Sequence, residues 1–407
     1  MSEVNTPRTV PAAGSGEPEP DPVRESMQVL PRVLAAPLTL LTGRPYAGQR
    51  PVRNTPTRHL VNALVSCALG LALSVTGLAA GGPLLVLLVP GWAATLHAAR
   101  NLRMMIYHQC AHQNMWRKRK PDVLVGRLIA AALMIQDFDR YSAEHVGDHH
   151  AVHHMTTRDP TVQAFLVTLK LRPGMSRGRM WRRVLGVCVD PWFHVRFLVA
   201  RVRSYYTYAP PAWRVGTTLV YVLVAAVVTM LGLWVPVLVA WVLPMTLFFQ
   251  ISNVFRLCVK HSFPQPDQTP RRGREYFASL TNAIFVGERA PSPRLPVLRR
   301  HAAWARWWFR MLFVHFPTRY LVLTGDTVVH DYHHRYPMSR EWASYLFARE
   351  EDHRSGAPGW PPYHEVWGLV PAIDHVLDSL RTADPEEFDP DRLAEVNHRA
   401  LFMAFED

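Results

Sequence analysis

LVNALVSCALGLALSVTGLAAGGPLLVLLVPGWAATLHAA, residues Leu60–Ala99, contains no Asp, Glu, Lys or Arg. It is twice the ~20 residues that an α-helix needs to cross the hydrocarbon core of a bilayer. Gly81-Gly82-Pro83 interrupts it near the middle. The stretch therefore predicts two transmembrane helices, approximately 60–80 and 83–100, joined by a tight turn. A second block, Val215–Ser252, is broken at Gly232–Pro236 and predicts another pair, approximately 215–232 and 235–252. Neither turn carries charge. Arg44, Arg50, Arg53 and Arg58 precede the first hairpin, whereas Arg103 and Arg117-Lys118-Arg119-Lys120 follow it. The positive-inside rule then puts both termini, and everything between the hairpins, on the cytosolic side of a polytopic membrane protein.

Outside the hairpins the chain changes character. Residues 1–30 are rich in Pro, Gly and acidic side chains and predict a disordered tail, with no apolar run that would make a signal peptide. Leu30–Leu41 is weakly amphipathic. Val123–Ile135 is apolar but too short to span, and Trp181–Arg203 mixes aromatics with Arg at helical spacing. Either segment suits a helix in the membrane interface or a buried helix of a cytosolic cap. The expected fold is all-α and integral to the membrane, with four transmembrane helices in two hairpins. A membrane domain would cover 31–345, with a helical cap from 101–214 and 253–345, followed by a cytosolic extension from 346–407. Within that extension Asp384–Asp391 is acidic and expected at the periphery.

Composition narrows the partners. The chain has 45 Lys and Arg against 32 Asp and Glu, a formal charge of +13, which suits anionic lipid, nucleic acid or an acidic protein. No nucleic-acid module accompanies the charge, and the apolar blocks favour the bilayer. Cys67, Cys110, Cys188 and Cys258 are scattered with no CxxC pair, which fits a reducing compartment and argues against a disulfide scaffold.

Histidine is the unusual residue: there are 20, and they bunch. His108 and His112 follow the second predicted span. His145, His149, His150, His153 and His154 fall within one short stretch opened by Glu144. His261 follows the fourth span, and His330-Asp331-Tyr332-His333-His334 comes later. Residues three or four apart on a helix lie about 5–6 Å from one another on one face. His108 and His112 can thus converge on one metal, and His330, His333 and His334 can serve two. The second stretch would place its five imidazoles within about half the circumference of a helix. A lone HxxxH is commonplace, and His59, His97, His194 and His315 suit packing. His301, His353, His364, His375 and His398 suit an ordinary surface. Repeated double-histidine clusters beside membrane helices have no packing rationale and point to metal. Imidazole suits Zn, Cu, Fe and Ni. A structural zinc would need four ligands, and this chain offers at least nine.

The order HxxxH, HxxxHH, an isolated His after a second hairpin and HxxHH resembles that of membrane fatty acid desaturases and their hydroxylase relatives. Glu144-His145-Val146-Gly147-Asp148-His149-His150 followed by Asp159-Pro160 is especially similar to the second box of alkane hydroxylases, with Asp148 in place of a glycine. Arg256–His261 resembles the RxxxEH segment of bacterial desaturases, with Lys260 where Glu is usual, and His330–Pro337 matches the final box. The likeness covers roughly residues 55 to 340. It implies two iron ions held by His108, His112, His145, His149, His150, His261, His330, His333 and His334. His153 and His154 also form an HxxHH with His150; the Glu144-His145 start and the distance to Asp159-Pro160 favour 145/149/150. Glu144, Asp148, Asp326 and Asp331 are then expected to accept from imidazole N–H groups.

The resemblance further implies O₂-dependent oxidation of an unactivated C–H bond in a lipid or alkyl chain: acyl desaturation first, hydroxylation as the alternative. No flavin, haem or Cys-ligated cluster motif is present, so electrons are expected from an external ferredoxin, rubredoxin or cytochrome-type donor. A non-enzymatic metal carrier is the rival of another class. It predicts loose His runs and ionisable residues within the spans, whereas these spans are nearly free of charge.

Overall fold

The structure is a computed structural model that describes residues 21–145, 154–267, 273–393, 396 and 401–406. Four helices are long and apolar enough to cross a membrane: Pro56–Ala80, Gly82–Ala111, Pro211–Met230 and Trp234–Lys260. The first begins where the Thr55 hydroxyl accepts from Arg58 N–H and Pro56 occupies the first helical turn. It ends at Gly81 and Gly82, whose φ values of +64° and +52° would strain other residues.

Small residues let the first two spans meet closely. A Cβ built on Gly70 would lie 2.4 Å from Thr95 Oγ1, and one on Gly91 2.3 Å from Ser74 Oγ. Backbones approaching over Gly and Ser are how helices associate in lipid, where burial of apolar surface gives little drive.

The second and fourth spans run further than hydropathy predicted, to Ala111 instead of 100 and to Lys260 instead of 252. No Gly or Pro follows Gly91 before the first histidines, so nothing stops the helix when its side chains turn polar. At 1.5 Å per residue the second span is about 45 Å long, against about 30 Å of hydrocarbon. Its protruding end is held by Arg100, which donates to Asn253 of the fourth span and to the Val322 carbonyl. A widened π-turn, Leu102–Tyr107, comes immediately before His108, a feature frequent at functional sites. Pro244 sits among two further π-turns of the fourth span, Leu238–Val242 and Pro244–Phe248. The third span stands apart, with only Thr217 and Val228 buried along Pro211–Met230.

The rest folds over the protruding ends. Arg119–Leu133 is a half-buried helix stopped by Met134 in the left-handed region, φ +48°. The expected 181–203 helix is two helices, Arg177–Val189 and Pro191–Tyr208: Asp190 precedes Pro191 and its carboxylate accepts from Trp192 N–H to start the second. Leu369–Thr382 packs against the end of the fourth span. A parallel pair, Ala283–Phe285 with Glu365–Trp367, supplies the only strands among the described residues.

Residues 21–30 depart from the tail expected there. Asp21 caps the short helix Pro22–Ser26, and the buried Arg24 donates to the carbonyls of Ala35 and Arg44. Met27 and Leu38 pack with Trp307 and Met311. Composition favoured disorder; a few specific polar and apolar contacts override it. In the acidic stretch Asp384–Asp391, Glu386 and Asp391 are exposed, Asp384, Glu387 and Asp389 are half-buried, and Phe388 is fully buried.

Candidate metal centre

Seven described histidines that the sequence nominated form two buried groups: His108, His112, His145 and His333, and His261, His330 and His334. His108 leaves the π-turn at the end of the second span, and His112 caps the last helical turn. His145 follows the helix Phe138–Glu144, which Asp137 starts by accepting from the N–H groups of Asp139 and Arg140. Its ring lies 4.5 Å from that of His108 and 5.1 Å from that of His112, centroid to centroid. His261 stands one residue beyond the fourth span's last helical residue, Lys260, on extended backbone. Lys260, the cation that adjoins it in sequence, is itself buried.

The third box divides between the groups. Positions i and i+4 are about 40° apart around a helix axis and i+3 lies about 60° to the other side. His330 and His334 accordingly stay together, with Nε2 atoms 3.1 Å apart, and His330 Nε2 is 3.3 Å from His261 Nε2. His333 turns the other way and places Nε2 2.8 Å from His108 Nε2.

These separations fit metal ligation. Imidazole nitrogens bound at about 2.0–2.1 Å and 90° to one another would lie roughly 2.9 Å apart. The Nε2 pairs converge tip to tip, as ligands sharing an ion do. Among the described residues no thiol or carboxylate belongs to either group, and an all-imidazole set suits Fe, Zn, Cu or Ni. His149 and His150, together with His153, lie outside the described residues.

His154 is a residue that the favoured register leaves outside the ligand set. It is buried, its ring 4.5 Å from that of His261 and 5.0 Å from that of His334. Its carbonyl accepts from the Tyr276 hydroxyl, and the following turn is fixed by Asp159, which accepts from Met155 N–H and Thr161 N–H. The overlapping HxxHH was the signal for it.

The surroundings differ from the expected carboxylates. Glu144 pairs with Arg140 and accepts from Gln136. Asp331 accepts from Nε and Nη2 of the Arg349 guanidinium, and Nη1 reaches Glu365, which Arg44 holds from the other side. Burial opposes ionisation of Glu365, but Arg349 and Arg44 outweigh it and keep the carboxyl below its ordinary range. Asp326, before the third box, is pushed by burial up to about 6, against the pull of Arg256 and Arg319. Asp148 lies outside the described residues. None of the other three carboxylates hydrogen-bonds a described histidine of the groups. Tyr141 does: its hydroxyl is 3.1 Å from His108 Nδ1, and its ring stacks on His145 at 5.0 Å. Tyr141 precedes His145 by four residues, the spacing that places both on one helix face.

The remaining histidines named as packing residues do pack. His97 stacks on Tyr320 at 3.7 Å, His59 reaches the Ala343 carbonyl, and His194 bridges Gln250 and the Cys188 carbonyl. All four cysteines are free. The fatty acid desaturase family matches residues 82–367, more than half of the chain and every described histidine of both groups. No curated protein matches the sequence.

Proposed function

Since the chain belongs to the fatty acid desaturase family, we propose that it is an O₂-dependent di-iron oxidoreductase that desaturates an acyl or other alkyl chain of a lipid. The observation that carries this reading is the pair of buried imidazole groups on the protruding ends of two membrane helices. One iron is assigned to His108, His112, His145 and His333, and the other to His261, His330 and His334, with His154 beside them. His149 and His150 complete the nine-ligand set. Bound iron supplies the oxidising power for an unactivated C–H bond.

The residues of the chain supply ligation and order. Because His108 Nε2 faces His333, Nδ1 carries the proton and donates it to Tyr141, which fixes the tautomer. Arg349 pins Asp331 and so sets the rotation of the short helix that divides its histidines between the two groups. Substrate reaches the site from the lipid, and two electrons per turnover come from a separate ferredoxin, rubredoxin or cytochrome-type donor. Exposed Arg50, Arg53, Arg58 and Arg117–Lys120 surround the same end of the first hairpin and support a cytosolic site with cytosolic termini. Arg44 and Arg103, which entered that argument from the sequence, are buried and serve the fold.

Hydroxylation is the second reading, favoured by the alkane-hydroxylase-like Glu144-His145 and Asp159-Pro160. Expression in a lipid-producing host, with mass spectrometry of extracted lipids, separates the two. Loss of two hydrogens marks desaturation and gain of one oxygen marks hydroxylation. The double variant His333→Ala, His334→Ala should give neither product; persistence of either would overturn the site assignment.

A further inference from the structure

Two arginines are buried in the cap, one of them in the π-turn that leads to the first histidine group. Arg201, on the helix Pro191–Tyr208, donates to the carbonyls of Met245 and Leu133 and lies over the Phe249 ring. Arg103, in the π-turn before His108, lies 4.7 Å above the Tyr107 ring and 4.2 Å above that of Tyr141. Apart from the Tyr141 side chain, no described group hydrogen-bonds the Arg103 guanidinium. Ring faces attract a cation, but two buried guanidinium groups, one of them in the turn before His108, call for an anion.

The segment 401–406 provides it. Leu401, Met403, Ala404 and Phe405 are buried, with Phe405 and Phe402 against Phe193 and Phe197. These contacts deliver Glu406, 0% exposed, to Arg201 Nε at 2.9 Å. Burial raises the Glu406 carboxyl above its ordinary range, against the pull of Arg201 and then of Arg103. From there the contacts lead to the metal ligands: Arg103 over Tyr141, Tyr141 to His108 Nδ1, and the Tyr141 ring on His145. Both Glu406 and its segment lie beyond the part of the chain that the family matches.

We infer that Glu406 is a positioning residue for the metal centre: the 401–406 segment latches onto the cap, and its carboxylate balances Arg103 and Arg201 so that Tyr141 holds His108 and His145 in their ligating orientation. The inference rests on the metal reading above. With the latch in place the first group is ordered before any ion arrives. Without it Arg103 keeps its charge, loses its counter-ion and must move, taking the Tyr141 ring with it.

The test uses the full-length chain in detergent, stripped of metal and titrated with Co²⁺ against a competing chelator, with the visible spectrum of the bound ion as readout. Glu406→Gln should weaken the first site 10–100-fold, the range seen when groups supporting a ligand are removed, and should change the spectrum. Glu406→Asp, which keeps the charge, should recover most of the affinity. Tyr141→Phe should weaken the same site, and its combination with Glu406→Gln should lose little more than the larger single loss, because both act through one chain of contacts. Losses that multiply would overturn the inference. So would a Glu406→Gln chain whose metal-free melting point falls while affinity and spectrum stay unchanged, since the segment would then be a strap for the fold alone. If Glu406→Gln does not fold, the pair Arg201→Met with Glu406→Met removes both charges together and must show the same weakened binding. A parent chain that binds no Co²⁺ would overturn the metal reading and this inference together; a parent that binds beside an unaltered Glu406→Gln chain overturns the inference alone.

Discussion

His108 and His333, 225 positions apart in the chain, approach Nε2 to Nε2 at 2.8 Å, while His334, the neighbour of His333, faces His330 and His261. Adjacent residues therefore belong to different groups. His333→Ala and His334→Ala should each lower the metal content of the purified chain from about two ions to about one, with the remaining ion in the other group. Elemental analysis of both single variants and the double variant measures this. Equal and complete loss in both singles would mean one shared site.

The Arg349–Asp331 pair is 1% exposed on both sides. Removing one partner of a buried pair leaves a charge without compensation and costs about 3–5 kcal/mol. Arg349→Met should lower the melting point sharply. Arg381→Met, at the exposed pair with Asp378, should cost under about 1 kcal/mol. Equal shifts would show that the buried network does not hold the third box.

Close approach of the first two spans depends on Gly70 and Gly91. Gly91→Ala would bring its Cβ to 2.3 Å from Ser74 Oγ and 3.0 Å from the Gly70 carbonyl. Overpacking of that kind costs about 1–3 kcal/mol, so the variant should melt earlier in detergent. Gly186 has nothing within 4 Å of an added Cβ, and Gly186→Ala should gain roughly 0.5–1 kcal/mol from helix propensity. A Gly91→Ala chain as stable as the parent would refute the packing.

Acid should act in two stages. Burial opposes charging of His375 and lowers its pKa from 6.5 to about 4. Below pH 6.5 the unfolded chain takes up this proton first, so stability falls as pH drops from 6.5 towards 4. Glu365, held below its ordinary range, contributes stability above the unfolded carboxyl value of about 4.3 and loses it as pH falls further. Melting of the metal-free chain from neutral pH downward should trace both stages, and His375→Phe should weaken the first, to which His364 and His353, also held below 6.5, contribute. A melting point that stays level down to the carboxylate range would contradict the burial of His375.

The spans could be read in the sequence because lipid imposes one rule on every residue of a crossing helix. Their ends could not: the helix before His108 continues past the hydrocarbon for lack of a stop signal. Spacing also showed that His330 and His334 share a face. It could not show that His333 crosses to His108, because that depends on how two elements from distant parts of the chain are turned towards each other. The same limit hid Tyr141 and Glu406. Arg103 reads as an orientation signal, yet it is buried against aromatic rings, and Arg24, within the stretch expected to be a tail, is buried among carbonyls. A one-residue hydropathy value carries no record of such surroundings.

The second span is one continuous helix about 45 Å long, lodged in lipid at one end and bearing His108 and His112 at the other. It is a lever arm. A tilt of about 5° within the bilayer sweeps its tip through about 4 Å, more than the separation of the paired imidazole nitrogens. The interlocked glycines and hydroxyls of the first hairpin and the clamp of Arg100 on Asn253 are the bearings that restrain this swing. Bilayer thickness and stiffness thereby become mechanical inputs to a site that stands outside the hydrocarbon.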